Sequence, residues 1–218
     1  MSEIVTIPIS FFEFLVEYEH PQFKFFTDRA SIVQDIFGAL QPWQPSVDDV
    51  DVVTAGKLSE QGFTIKIPLK RVSLFCGPAS CKFTRENADW QSMSETSSIL
   101  DAAVSALAKS TSSVFRTINT AISMHVQPKS LPFVALLSPF IPQQLAAMNS
   151  EPATTMAAVV KWPKRKITID GSGVLANAIF LRLEREFPAN TTYESIAAQL
   201  RKDEDDLFGV LGVEEERV

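Results

Sequence analysis

Residues 63–70 read Phe-Thr-Ile-Lys-Ile-Pro-Leu-Lys, and every odd-numbered residue of this stretch is apolar. A period of two places successive side chains on opposite faces of a β-strand, so the pattern predicts a strand with one buried and one wet face. After Arg71 the apolar positions move to Val72 and Leu74, which is a shift of one residue. We interpret the shift as a bulge close to Pro68, in a strand at the edge of an antiparallel sheet.

The same alternation predicts further strands over 12–18, 114–126 and 175–187. Gly77-Pro78-Ala79-Ser80 lies between two apolar runs, and Asp170-Gly171 follows another one. Both sequences are typical of tight reversals between antiparallel strands.

Apolar residues spaced by three and four positions predict four helices, over 27–40, 86–110, 139–148 and 193–211. Thr191 and Glu194 have the spacing of a capping box, which predicts Thr191 as the N-cap of the last helix.

The predicted elements follow a repeating order. Residues 4–110 contain a strand, a helix, several strands and a long helix, and residues 114–211 contain a strand, a short helix, several strands and a helix. We therefore predict a single domain, 1–218, of the α+β class. It has a curved, mainly antiparallel sheet with long helices on one face, built from two similar β-α-β-β-α halves. The hypothesis of a duplication rests on element order and length.

Three segments resemble a group of uncharacterised bacterial proteins that pair strands with long helices. They are the Phe-Glu-Phe-Leu-Val-Glu strand at 12–17, Arg-Thr-Ile-Asn at 116–119, and the final strand and helix over 175–211. The resemblance implies an α+β fold and no particular chemistry, because that group has no established activity.

Composition places the chain among globular proteins, because 45% of its 218 residues are hydrophobic and 21% are charged. The start of the chain lacks the pattern of a secretory signal, and the apolar stretch over 131–142 is too short and too rich in proline to span a membrane. We expect a cytoplasmic protein with no membrane partner and no cofactor. The formal charge of −6 repels phosphate backbones, so we expect no nucleic-acid partner either.

Cys76 and Cys81 flank the Gly77 turn, and with His20 and His125 they supply four side chains of the types that bind zinc. Zinc ligands usually come in closely spaced pairs, whereas these histidines are isolated, so we predict no metal site. We expect two free thiols in a reducing compartment, with a disulfide across the hairpin as the alternative under oxidation.

His125 follows Ser123 at the spacing that aligns side chains on one strand face, which leaves a nucleophilic Ser-His pair open. The chain has no Gly-x-Ser-x-Gly elbow, so we favour an exposed polar histidine and a protein that is not an enzyme. We interpret Glu184 with Glu186 as the wet side of a strand, and the acidic run over 203–206 as a solvated surface.

The densest basic cluster is Lys161, Lys164, Arg165 and Lys166, around Trp162-Pro163. Phosphate contact and a positively guarded turn between strands both fit this cluster, and the negative total charge favours the turn.

Phenylalanine is the most unusual feature of the composition, with sixteen Phe against two Tyr. Six of them crowd one short region: Phe11, Phe12, Phe14, Phe23, Phe25 and Phe26. Adjacent residues of a strand face opposite ways, so Phe11 and Phe12 need different contact partners. We therefore predict a binding region for another protein or a second copy of the chain. The alternative is a small-molecule binding or hydrolytic domain with a pocket between sheet and long helix.

Overall fold

The computed structural model describes residues 2–140 and 157–216. Within these residues the strands are β1 (Glu3–Tyr18), β2 (Val50–Val53), β3 (Gly62–Ile67), β4 (Val72–Cys76), β5 (Ser80–Glu86), β6 (Phe115–Pro128), β7 (Ala158–Trp162), β8 (Arg165–Gly171), β9 (Ile179–Pro188) and β10 (Val213–Glu215). The α-helices are α1 (Lys24–Thr27), α2 (Arg29–Leu40), α3 (Met93–Thr111), α4 (Phe133–Leu137) and α5 (Tyr193–Leu211).

The strands form one sheet in the order β2-β3-β4-β5-β1-β6-β9-β8-β7, and β10 pairs with β1. Neighbouring strands are antiparallel in the hairpins β2–β3, β3–β4, β4–β5, β7–β8 and β8–β9. The short β10 is parallel to the start of β1. The predicted α+β class with a mainly antiparallel sheet is confirmed.

Element order is similar in the two parts of the chain. The first part contains, in order, β1, α2, β2–β5 and α3, and the second part contains β6, α4, β7–β9 and α5. The helices α3 and α5 close the two series, and each has 19 residues. The duplication stays a prediction, which superposition of 4–110 on 114–211 would test.

The chain divides into two compact units. Unit 1 comprises Met1–Ser10, Ala121–Arg185 and Ala198–Val218, and unit 2 comprises Phe11–Thr120 and Glu186–Ala197.

The core of unit 2 is rich in phenylalanine. Over residues 12–18 of β1 every even-numbered side chain is buried, and Phe14 lies edge-on to Phe83 of β5 with 6.1 Å between ring centroids. Phe25 of α1 stacks on Phe63 of β3 at 6.0 Å. Because aromatic rings bury large apolar areas, these contacts account for much of the packing of unit 2.

The core of unit 1 consists mainly of aliphatic side chains. Ile167 and Ile169 of β8 are paired with Leu183 and Leu181 of β9, and all four are buried. The alternation of these strands therefore places one face of the hairpin inside unit 1.

The interpretation of residues 63–74 as one bulged edge strand is wrong. Pro68–Lys70 form a turn of 3₁₀-helix, Arg71 adopts a left-handed conformation with φ 53°, and β4 folds back on β3 with Ile67 opposite Val72. β3 lies between β2 and β4, so it is not an edge strand. Proline at the start of the turn ends β3, because it lacks the N–H that a sheet ladder needs.

The predicted helices differ from the observed ones mainly at their starts. The helix predicted over 86–110 begins at Met93, because β5 extends to Glu86. For α5 the capping side chain is Thr192, whose Oγ1 accepts a hydrogen bond from the Ser195 backbone N–H at 3.3 Å, and not Thr191. The helix predicted over 139–148 lies almost entirely outside the described residues.

The reversal after Asp170-Gly171 is longer than predicted. β8 ends at Gly171 and β9 begins only at Ile179, and a backbone hydrogen bond from Ser172 to Ala178 closes the loop between them. This loop lies beside β6 and positions the first polar cluster described below.

Candidate functional site

His125 on β6 and Ser172 in the β8–β9 loop form a hydrogen-bonded pair. The distance between His125 Nδ1 and Ser172 Oγ is 2.8 Å, and only 8% of His125 is exposed. The Phe180 ring lies 5.3 Å from the imidazole, and burial lowers the His125 pKa. The prediction of an exposed histidine is wrong, because the β8–β9 loop covers this part of the strand.

The Ser172 hydroxyl is engaged on its acceptor side as well. Its Oγ accepts hydrogen bonds from the backbone N–H groups of Val174 at 3.2 Å and Leu175 at 2.9 Å. Because its oxygen already accepts two hydrogen bonds, the Ser172 hydroxyl donates its proton to His125 Nδ1. The pair therefore fastens the loop to β6.

Polar side chains continue from this pair across β9 to β8. Arg182 donates a hydrogen bond to the buried Ser123 at 2.8 Å, and Lys166 forms an ion pair with Glu184 at 2.6 Å. Burial opposes ionisation of Glu184, but the hydrogen bond from Lys166 and the charge of Arg182 outweigh it and lower the pKa of this carboxyl. On the predicted wet strand face, Glu184 is therefore paired with Lys166 and Arg182.

A second polar cluster forms around Asp203 of α5, which is 2% exposed. Arg185 Nη1 lies 2.6 and 2.8 Å from the two carboxylate oxygens, and Gln199 donates to Oδ1 at 3.1 Å. Arg165 Nη1 is 3.7 Å from Oδ1. The interpretation of this acidic run as solvated is wrong for Asp203 and for Glu204, which is 6% exposed. These contacts tie the helix to the β8–β9 hairpin.

The basic cluster predicted from the sequence lies on the β7–β8 hairpin. Lys161 and Lys164 are exposed. Arg165 pairs with Asp203 and lies 5.3 Å from the centre of the Trp162 ring, while Lys166 pairs with Glu184. Half of the cluster is thus committed to internal contacts, and Pro163-Lys164 form the turn between β7 and β8. The choice between a guarded turn and phosphate contact stays a prediction.

The predicted phenylalanine region is only partly accessible. Phe12, Phe14 and Phe25 are each at most 3% exposed, whereas Phe23 is 66% exposed and lies 6.3 Å from the Phe26 ring. Phe12 faces Trp90, with 5.2 Å between ring centroids, and Phe11 lies on the opposite face of β1. A partner of this region would therefore meet mainly Phe23.

The most exposed apolar strand is β7, which the sequence patterns do not single out. Val159 is 60% exposed, and Val160 and Trp162 are each 45% exposed. Of the described strands only β8 pairs with β7. The signal available in the sequence is the short β-branched and aromatic run Ala-Val-Val-Lys-Trp before Pro163, which is typical of a strand that leads into a turn.

The register of the β7–β8 hairpin determines which backbone groups of β7 are directed outward. Trp162 pairs with Arg165 across the two-residue loop Pro163-Lys164. The two residues that flank a two-residue hairpin loop form a hydrogen-bonded pair, so Trp162 is hydrogen-bonded to Arg165. Hydrogen-bonded pairs alternate with non-bonded ones, so Val160 bonds to β8. The N–H and C=O groups of Val159 and Lys161 are therefore directed away from β8.

The two cysteines face each other on β4 and β5 in unit 2. Their Sγ atoms are 3.4 Å apart, and both side chains are buried. Burial raises the pKa of Cys76 well above its usual range, and the hydrogen bond with Cys81 adds to the shift. Among the described residues, no three His, Cys, Asp or Glu side chains come together in a group that could hold a metal ion.

None of the helices within residues 2–140 and 157–216 is long and apolar enough to span a membrane.

Comparison with known proteins gives no family for the chain. No model of a protein family matches it, and no curated protein matches it. A solved structure of a conserved hypothetical protein from Pyrococcus furiosus is similar over 93% of this chain and 91% of its own, with 8% identity and a TM-score of 0.18. The resemblance to uncharacterised bacterial proteins stays a prediction.

Proposed function

We propose that the chain is a non-enzymatic protein-binding module that adds an extended strand of its partner to the edge of β7, and that a second copy of the chain is one such partner. The supporting observation is the exposure of Val159, Val160 and Trp162 on a strand whose outer backbone groups point away from β8. Exposed apolar edge strands commonly pair with other chains.

The register supports pairing between two copies. Lysine on an edge strand usually opposes such pairing, and β7 carries Lys161. In an antiparallel pair of β7 strands centred on Val160, however, Lys161 of one copy lies opposite Val159 of the other, and like charges do not meet. The outward backbone groups of these two residues then form the hydrogen-bonded pairs.

A proline scan with analytical ultracentrifugation tests the proposal. Val159→Pro removes an outward N–H without removing a hydrogen bond to β8, so we expect it to weaken self-association at least tenfold with an unchanged unfolding midpoint. Val159→Thr keeps the N–H and the branched shape, and it serves as the matched control.

Two results would contradict the proposal. One is a wild-type chain that stays monomeric at every concentration up to about 0.1 mM, because self-association with a Kd of about 1 μM would be nearly complete at that concentration. The other is an oligomer that Val159→Pro leaves intact, because its interface would then lie elsewhere.

A further inference from the structure

The chain has two cysteines, and β4 and β5 place them directly opposite each other. Their Sγ atoms are 3.4 Å apart, whereas a disulfide bond is about 2.05 Å long. Neither thiol takes part in the proposed binding edge.

The backbone register around the thiols is the one that brings side chains closest. Gly77 donates a backbone hydrogen bond to Ser80 at 3.0 Å, so the pair Gly77–Ser80 is hydrogen-bonded. The next pair, Cys76–Cys81, is then of the non-hydrogen-bonded type, whose Cα atoms lie only about 4.5 Å apart. That separation is within the range spanned by disulfides, which begins at about 4.4 Å.

The surrounding backbone fixes this arrangement. A Cβ on Gly62 would lie 2.2 Å from the Cys76 carbonyl oxygen, so β3 approaches β4 as closely as glycine allows. The hairpin tip is held as well, since Tyr18 N–H donates to the Ala79 carbonyl at 3.2 Å and Gln22 N–H donates to the Pro78 carbonyl at 2.7 Å. Side-chain rotation, with little movement of the strands, is sufficient to bring the two sulfurs together.

We propose that Cys76 and Cys81 are an oxidative modification site, at which a low-molecular-weight disulfide such as glutathione disulfide converts the two thiols into a cross-strand disulfide. One cysteine thiolate attacks a sulfur of the glutathione disulfide, forms a mixed disulfide and releases one glutathione. The second cysteine thiolate then attacks the protein sulfur of that mixed disulfide and releases the other glutathione. Two electrons pass from the cysteines to the oxidant, and the two protons end on the two glutathione thiols.

The burial of both thiols sets the rate of this reaction. Each cysteine is at most 1% exposed, so the first attack requires opening of the hairpin tip, where Ala79 is exposed. A buried thiol with a raised pKa, such as that of Cys76, reacts slowly, because the thiolate is the nucleophile. The site therefore responds to sustained oxidation and not to a brief pulse.

The test is an equilibrium measurement in glutathione redox buffers, approached from the reduced protein and from protein oxidised in urea. Mass spectrometry under non-reducing conditions counts the loss of two hydrogens per chain. We expect the equilibrium constant for the intramolecular disulfide to be at least about tenfold larger in the folded chain than in the same chain in urea, since folding has already closed the loop.

The control variants Cys76→Ser and Cys81→Ser keep one thiol each, so they can form only a mixed disulfide with glutathione or a dimer. An equilibrium constant that is equal in the folded and unfolded chain, or smaller in the folded one, would overturn the proposal. Mixed disulfides or disulfide-linked dimers as the end product in the wild-type chain would overturn it as well.

Discussion

Removal of the Asp203 carboxylate tests whether the buried cluster stabilises unit 1. In Asp203→Ala the two contacts from Arg185 at 2.6 and 2.8 Å, the bond from Gln199 at 3.1 Å and the attraction of Arg165 at 3.7 Å are lost together. Breaking one partner of a buried ion pair costs about 3–5 kcal/mol when the remaining charge stays buried.

The two arginine partners reduce this cost, because their side chains keep 28% and 27% of their surface exposed and can recover water. We therefore expect Asp203→Ala to lower the free energy of unfolding by about 2–3 kcal/mol, which for a chain of this length lowers Tm by about 4–12 °C. Asp203→Asn keeps the shape and one carbonyl oxygen, so it should lose less.

Urea unfolding followed by circular dichroism measures the change, and the slope with urea should stay constant. The matched control is Asp205→Ala on the exposed side of the same helix, for which we expect a change within about 0.5 kcal/mol. Equal losses in Asp203→Ala and Asp205→Ala would refute the reasoning, because the cluster would then contribute no more than a surface charge.

Two further predictions concern single buried groups. Burial lowers the His125 pKa from its usual 6.5, so the unfolded chain takes up a proton first as the pH falls. The free energy of unfolding should therefore decrease as the pH falls from about 7 through the His125 pKa. Urea titrations at each pH should show a smaller decrease in His125→Asn than in the wild-type chain, and an equal decrease in the two proteins would contradict this. The Tyr18 hydroxyl is buried without a hydrogen-bond partner in the described structure, so Tyr18→Phe should raise the free energy of unfolding by about 1 kcal/mol, and a lower thermal midpoint for the variant would show that the hydroxyl has a partner.

Local sequence patterns predict where strands and turns lie better than they predict which strands pair with each other. The alternation over 12–18 and the Gly77-Pro78-Ala79-Ser80 turn predict β1 and the β4–β5 hairpin, because both depend on side chains a few positions apart. The same kind of pattern over 63–74 fits a bulge and a hairpin equally well. Only the left-handed Arg71 and the pairing of Ile67 with Val72 distinguish the two.

The polar clusters could not be predicted for a different reason. Asp203 is buried because Arg185, eighteen positions away, reaches it from another element, and His125 is buried by a loop 47 positions further along the chain. A polar residue without its partner gives the same signal as a solvated one, so period and composition assign it to the surface. The exposed strand β7 could not be predicted because it is short. Its five residues are too few to establish a period in the sequence.

The parallel pairing of β10 with β1 has a consequence for the order in which the chain folds during synthesis. Glu3 lies opposite Val213, so β1 gains this neighbour only after all the residues between the two strands have been synthesised. Most of unit 2 lies in the continuous segment Phe11–Thr120, whereas unit 1 draws on three segments spread along the chain. Contacts of such long sequence separation form slowly, so unit 2 is expected to assemble before unit 1.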